Sequence, residues 1–393
     1  MSRPLEGITV ITLEHAIAAP FCTRQLADLG ARVIKIERPG SGDFARGYDE
    51  RVQGLSSHFV WTNRSKESLT LDVKHPEAQH VISRLLDKAD VLVQNLAPGA
   101  AARLGLSFEA LHEKFPRLIV CDISGYGSDG PYRDKKAYDL LIQSESGFLS
   151  VTGTPDEPAK AGCSIADISA GMYAYSNILA ALVQRGKTGK GSHIDVSMLE
   201  SMVEWMGFPM YYAFDGAEPP PRAGASHATI FPYGPFKAGD GASVMLGLQN
   251  EREWAAFCEG VLKQPELAGD ERFSTNSRRV QNREVLRALI TDAFSTLTAQ
   301  QVEQRLDEVK IANARVNTMR DVWAHPQLRA RERWTKVDTP AGAVPALLPP
   351  GRVDSFTPRM DPIPALGQHT EAILRELGWA PDAIAALQAD GAI

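Results

Sequence analysis

Ile8-Thr9-Val10-Ile11-Thr12-Leu13 and Ala31-Arg32-Val33-Ile34-Lys35-Ile36-Glu37 are the two runs that decide the fold, the second stopped by Pro39-Gly40. Both are short and rich in β-branched residues, and both read as strands. Residues 18–29 between them read as a helix that ends at Gly30. Strand, helix and strand within about thirty residues make a βαβ unit, which implies a parallel pair and a right-handed crossover.

The pattern recurs downstream. Residues 69–74, 90–96 and 118–124 read as strands, with helices over 75–89 and 108–115. This alternation predicts an α/β fold, a doubly wound, Rossmann-like parallel sheet covered by helices on both faces. Helices follow over 137–147 and 168–185, then a strand at 193–198 and a helix to about residue 206. The basic Gly-rich turn Arg185–Gly191 lacks the spacing of a phosphate loop and fits a glycine helix cap with favourable lysines.

At 393 residues the chain exceeds one ordinary core. The predicted organisation is a large α/β domain over 1–215, a linker at 216–225 built on Pro219-Pro220-Pro221-Arg222, a smaller α+β domain at 226–320, and an extended return at 321–393. The small domain is expected to hold hairpin strands and helices near 251–263, 283–297 and 299–308. The return contains a Pro/Gly-rich stretch at 335–366 and two terminal helices, near 369–377 and 381–389. It is expected to belong to the large domain and wrap over it.

A net charge of −6 argues against nucleic acid or an anionic membrane surface recognised by bulk charge. No apolar run approaches bilayer length, and the N-terminus enters the first strand without a secretory pattern, so the expected location is cytoplasmic. Cys22, Cys121, Cys163 and Cys258 show neither metal nor redox spacing; buried thiols and no metal are expected. After the first strand comes Glu14-His15-Ala16-Ile17-Ala18-Ala19-Pro20 rather than a glycine fingerprint, which removes support for a nucleotide redox cofactor. A doubly wound sheet still places its ligand beyond the strand carboxyl ends, where His15, Arg38 and Asn95 fall.

Asp167 stands in Ser164-Ile165-Ala166-Asp167-Ile168-Ser169-Ala170-Gly171, at the start of the helix at 168–185. Two readings are open. As an N-cap, its carboxylate would accept from the first free N–H groups. As a nucleophile, it would be held by those same groups among neighbours too small to block a substrate.

Several phrases together resemble the family III CoA-transferases, the group containing formyl-CoA:oxalate and carnitine CoA-transferases. They are Arg32–Gly40 with Gly42-Asp43, Asn63-Arg64-Ser65-Lys66 with Leu69–Lys74, Asp90–Gly99 with Arg103-Leu104-Gly105, Ser124-Gly125-Tyr126-Gly127 with Gly130-Pro131-Tyr132, Ala166-Asp167, and Leu366-Gly367-Gln368-His369-Thr370. Their order and spacing run through nearly the whole chain. The resemblance implies that Asp167 is the catalytic nucleophile, forming an acyl anhydride and then an aspartyl-CoA thioester, with Tyr138 and Asp139 beside it. It implies coenzyme A as the substrate and carrier, contacted by His15, Ala18, Arg38, Leu71, Lys74, Asn95, Leu96, Arg103 and Lys136, the four cations taking phosphates. Ile17 departs from the pattern, because formyl-CoA transferase has a Gln there.

The related α-methylacyl-CoA racemases pair the catalytic Asp with a His in a Gly-His-Asp phrase, whereas this chain reads Ala137-Tyr138-Asp139. A phenol is a poor proton shuttle at neutral pH, so transfer is favoured over racemisation. A CoA-binding protein without catalysis is the other competing reading, opposed by the presence of Asp167. The partners implied are an acyl-CoA donor, a carboxylic acid acceptor and a second copy of the chain in an interlocked homodimer. The acceptor expected is a small C4–C5 dicarboxylate such as itaconate, mesaconate or citramalate, with Arg46, Arg222 and His227 as candidate contacts. His58, His80, His112 and His325 lack ligand spacing and read as surface or packing residues. The subgroup's mobile Gly-rich loop has no counterpart between 226 and 250, so another element is expected to shield the site.

Overall fold

The computed structural model describes residues 2–393, in two compact units. Unit 1 comprises residues 2–146, 161–206 and 328–393, and unit 2 comprises 147–160 and 207–327. The expected linker is a bonded segment, not a free one. Arg222 donates to the carbonyls of Thr154 and Pro155, and Gly224 N–H donates to Gly153 O. These bonds tie 147–160 to the 216–225 stretch within unit 2.

Unit 1 is built on a six-stranded parallel sheet of β1 (Thr9–Leu13), β2 (Arg32–Glu37), β3 (Lys66–Thr70), β4 (Val91–Gln94), β5 (Ile119–Ser124) and β6 (His193–Ser197). The spatial order is β3-β2-β1-β4-β5-β6. Val10, Ile11, Val91, Leu92 and Val93 are all fully buried, because helices cover both faces. Helix α1 (Ala18–Asp28) links β1 to β2, and the short α2 (Ser57–Thr62) precedes β3. Helix α3 (Ala78–Leu86) turns Val81, Ile82, Leu85 and Leu86 into the core cluster with Leu69 and Leu92.

Three expectations are corrected. The third strand is Lys66–Thr70 rather than 69–74, paired from Val33↔Lys66 to Glu37↔Thr70. Polar Lys66 and Ser68 disguise it in sequence, yet both are buried with partners. The helix expected at 168–185 runs from Ile165 to Thr188, closed by Gly189 in a left-handed conformation (φ 73°). The 335–366 stretch contains an antiparallel hairpin, Trp334–Thr339 with Gly342–Leu347. Beyond it, Ser68 N–H donates to His369 Nδ1 and Thr70 N–H to Thr370 Oγ1, so the 366–370 phrase covers the β3 edge.

Unit 2 holds its own antiparallel sheet, in which Tyr233–Lys237, Ser243–Gly247 and Ala312–Arg315 are neighbours in that order. Its core gathers Phe231, Phe236, Trp254, Phe257, Phe273 and Phe294. Among the described residues no helix is long and apolar enough to cross a membrane.

Candidate active site

The chain winds outward from β1 in both directions, to β2 and β3 on one side and to β4 on the other. That switch point between β1 and β4 is where a doubly wound sheet opens a crevice. A cavity of about 1660 Å³ lies there, lined entirely by unit 1 residues from the carboxyl ends of β1 to β5 and from the Asp139 and Asp167 segments.

Asp167 is the third residue of the long helix, so it is not the cap; Ser164 occupies that position without a side-chain bond. Asp139 caps the helix from outside. Its Oδ1 accepts from Ala166 N–H at 2.8 Å and from Asp167 N–H at 3.4 Å, while its Oδ2 accepts from Gln143 Nε2 at 2.7 Å. The N–H of Ala18, the first residue of α1, acts on the Asp167 carboxyl from the other side and favours its charged form. Gly171, one turn further along the same face, permits this approach: a Cβ there would lie 2.6 Å from Ala18 O. Burial, followed by the charge of Asp139, pushes the Asp167 carboxyl up to about 7, and the Ala18 N–H only partly offsets them.

Two phenols face the same space. Tyr138 is 70% exposed and its hydroxyl bonds no protein group among the described residues, so it is not the packed tyrosine that helix position alone allows. Gly125 lies beneath its neighbour Ala137, where any added Cβ would collide. Burial, with Asp43 and Asp167 nearby, carries the Tyr48 phenol up to about 12 and keeps it a hydroxyl donor.

The β1–α1 loop is held at each residue. Asn95 clamps His15 by accepting its N–H at 2.9 Å and donating to its carbonyl at 2.9 Å. Ala16 adopts φ 60°, rare for a residue with a Cβ, and donates its N–H to Asp43 Oδ1 at 3.1 Å. The His15 ring stacks on Phe44 at 5.2 Å, and burial lowers its pKa, which keeps it neutral.

Behind the loop is a closed set of charges. Lys35 Nζ donates to Asp43 Oδ2 at 2.6 Å and to Asn63 Oδ1 at 3.0 Å. Lys66 Nζ donates to Glu14 Oε1 at 2.6 Å, while Thr12 and Thr23 hydroxyls satisfy Glu14 Oε2. All of these side chains are buried. Burial works against the Glu14 carboxylate, but Lys66 and Lys35 outweigh it and hold its pKa low; the same burial takes Lys66 down to about 8.

Arg38, Lys74, Arg103 and Lys136 line the cavity differently. All four are exposed, and none forms an ion pair among the described residues. Leu71, Leu96 and Ala18 add apolar lining, and Ile17 presents only carbon where the related pattern has an amide. The structure thus gathers Asp167, Tyr138, Asp139 and the nine expected CoA contacts around one cavity. It does not bring Arg46 there. Arg46 makes a two-pronged bond to Glu37, with both N···O distances at 2.8 Å, and its guanidinium lies 3.8 Å over the Phe59 ring. His227 belongs to unit 2, where its ring stacks on Tyr233 and its Nδ1 accepts from Thr229 and Ile230 N–H. Arg222 is engaged by the two carbonyls described above.

Tyr48, Phe44, His58 and Lys135 also line the cavity and were not singled out as site residues from sequence. Lys135 stood in plain view beside Lys136; its ammonium pairs with Glu145 and lies 4.3 Å from the Tyr132 ring centroid. Cys163 is exposed, unlike the other three cysteines.

Comparison with known proteins extends this geometry. The family model described as CoA-transferase family III matches residues 5–370. Human succinyl-CoA:glutarate CoA-transferase is 34% identical over 379 residues, which cover 95% of this chain and 86% of that protein. Succinyl-CoA–D-citramalate CoA-transferase of Chloroflexus aurantiacus is 33% identical over 400 residues, covering 98% and 97%. The crystal structure of a CAIB/BAIF family protein from Brucella suis superposes with a TM-score of 0.85 at 34% identity, over 96% of this chain and 100% of that one. A match spanning the sheet, the cation rim and the Asp167 helix settles the assignment: the chain belongs to CoA-transferase family III and is an enzyme of the transferase class.

Proposed function

We propose that this enzyme moves CoA from a succinyl-CoA-like donor to a small C4–C5 dicarboxylate, with Asp167 as nucleophile. The observation that carries the reading is a desolvated carboxylate beside two phenols, in a cavity rimmed by four unpaired cations. The cations suit the phosphates of CoA as charge-assisted donors. Relatives named for succinyl-CoA with glutarate or citramalate support the choice of substrates.

The chemistry balances without ATP. An Asp167 oxygen attacks the thioester carbonyl, the C–S bond breaks, and CoA leaves as thiolate from a mixed anhydride. The thiolate attacks the Asp167 acyl carbon, releasing the donor acid and leaving an aspartyl-CoA thioester. The acceptor carboxylate then attacks that thioester and expels the thiolate. The thiolate finally attacks the acceptor's acyl carbon, freeing Asp167 and the new acyl-CoA. In this reading the Ala18 N–H and the phenols of Tyr48 and Tyr138, all lining the cavity, donate to charge on the carbonyl oxygens. The resemblance also implies a homodimer, and the exposed run Phe208, Met210, Tyr211 and Phe214 supports a second copy covering it. Light scattering on the purified protein would read the dimer mass directly.

The test is chemical trapping. Protein incubated with succinyl-CoA and hydroxylamine is digested and analysed by mass spectrometry, with Asp167→Ala beside it. The expected result is a hydroxamate on the Asp167 peptide of the parent protein alone. No modification with succinyl-, acetyl- or butyryl-CoA would remove the covalent mechanism. Proton exchange in deuterated water without an acceptor acid would then favour racemisation.

A further inference from the structure

A dicarboxylic acid presents a second carboxylate, and binding it away from water calls for a cationic or strongly donating partner. The arginines that sequence suggests are both taken: Arg46 by Glu37 and Arg222 by two carbonyls. Lys135 is paired with Glu145. The four open rim cations match the phosphates of CoA.

One nitrogen-bearing side chain of the cavity wall has no such assignment. His58 lines the cavity, and its Nδ1 lies 3.3 Å from Asp49 Oδ2. Asp49 is itself fixed, accepting from Ser57 N–H at 2.9 Å, Ser57 Oγ at 2.7 Å and Arg51 N–H at 3.0 Å. Those bonds hold its carboxyl well below the usual range. An ionised carboxylate can only accept, so the Nδ1 of His58 carries the proton and the ring is oriented by that bond. No protein group among the described residues bonds Nε2. The Tyr48 ring meets the His58 ring edge-on at 5.3 Å, and the Tyr48 phenol feels the charge of Asp167. His58, Tyr48 and Asp167 thus line one cavity, with the Tyr48 ring packed against the His58 ring.

We propose that His58, oriented by Asp49, binds the distal carboxylate of the acid, in the free acceptor and in the acyl group of the donor alike, as an imidazolium whose Nδ1–H donates to Asp49 and whose Nε2–H donates to the substrate carboxylate, the second proton being taken up with the acid. The inference rests on the CoA-transfer reading above. His58 is a binding residue here and Asp49 a positioning residue.

The test compares each dicarboxylic substrate with an analogue in which a methyl group replaces the distal carboxylate: succinyl-CoA against butyryl-CoA, and glutarate against pentanoate. Full-length parent protein, His58→Ala and Asp49→Asn are assayed for kcat/KM with each. The parent should prefer the dicarboxylic member of each pair. His58→Ala should reduce that preference about 10- to 100-fold, mainly through KM, as expected for losing a hydrogen bond to a charged group. Asp49→Asn, which keeps a side chain of the same shape, should move the preference the same way by a smaller factor. An unchanged preference in both variants, or an equal fall with both members of each pair, would overturn the inference while leaving CoA transfer intact. A parent protein that transfers CoA with no substrate of either pair would sink the underlying reading and this one with it.

Discussion

Lys35 and Arg38 are three residues apart on β2 and its exit, yet they belong to opposite electrostatic regions. Lys35 is fully buried and shares Asp43, Glu14 and Asn63 with the closed set that includes Lys66. Arg38 is exposed and unpaired, as are Lys74, Arg103 and Lys136 on the same cavity. A charge inside the sheet survives only because its partners offset the loss of water. What it does there is mechanical: Asp43, gripped by Lys35, holds Ala16 in its left-handed conformation and so shapes the loop leading to the Ala18 N–H. The rim charges stay hydrated and are available to a ligand. Proximity in sequence thus says little about function; the side of the sheet edge on which a charge ends up decides whether it builds the site or binds in it.

Asp167 lies between the two regions, and its removal should have the largest effect. Asp167→Asn should lower transfer by about 10³-fold or more, as loss of a nucleophile does. The same change should stabilise the fold at pH 8. The folded carboxyl is raised to about 7, so the native state holds its proton more tightly than the unfolded chain. The unfolded carboxyl ionises near its ordinary 3.8 while the folded one keeps its proton up to about 7, so stability falls across that interval and the amide removes the cost. Melting curves should show a gain of a few degrees at pH 8 and little near pH 3.5; a loss at both would contradict the desolvated carboxylate.

The contrast itself breaks if the two regions respond alike to mutation. Lys66→Ala leaves Glu14 buried and unpaired and should cost about 3–5 kcal/mol in denaturant unfolding. Arg38→Ala should change stability by only about 0.5 kcal/mol, while raising the KM for acyl-CoA roughly tenfold. Raising salt should weaken acyl-CoA binding through the rim and leave the closed set unmoved.

Gly171→Ala sharpens the link between them. The new methyl group would press on Ala18 O and shift the N–H that meets Asp167. Activity should fall up to about 100-fold, the effect of a misplacement near 1 Å, with a smaller loss of stability. Full activity in this variant would show that the Ala18 contact is dispensable.

The smallest effect is on pH. Because the proposed attack needs Asp167 ionised, kcat/KM should rise from pH 6 to pH 8 with a midpoint near the raised Asp167 value of about 7. Asp139→Asn removes the neighbouring negative charge and should move that limb to lower pH by roughly half a unit to one unit. A shift to higher pH would mean that Asp139 acts chiefly by aligning the helix start.

Much of unit 1 was legible because its elements announce themselves. The β-branched runs of β1 and β2 admit one reading, and glycine at residue 30 marks the end of the helix between them. The third strand was misplaced because Lys66 and Ser68 look like surface residues, and a linear chain does not reveal that Glu14 and Glu37 wait to pair with them. The hairpin inside 335–366 was hidden by prolines and glycines that read as extended chain. For the site, the cations next to strand ends were legible by position, since a doubly wound sheet has only one end that binds. Arg46 looked free in sequence and is not, because whether a charge is taken depends on what lies opposite in space, here Glu37; His58, read as a surface or packing residue, lies on the cavity wall.

The sequence by itself determined the parallel sheet, the expectation of a cavity at its carboxyl edge, and the candidacy of Asp167. Periodicity and order carry that information locally, and the quoted phrases carry it across the chain. Only the tertiary structure decided that Asp139 rather than Asp167 caps the long helix, that Gly171 lets the Ala18 backbone pack close beside the Asp167 helix, and which cations are spent on internal partners. Those outcomes depend on distances between segments far apart in the chain, where a single Cβ or one buried carboxylate changes which groups can meet.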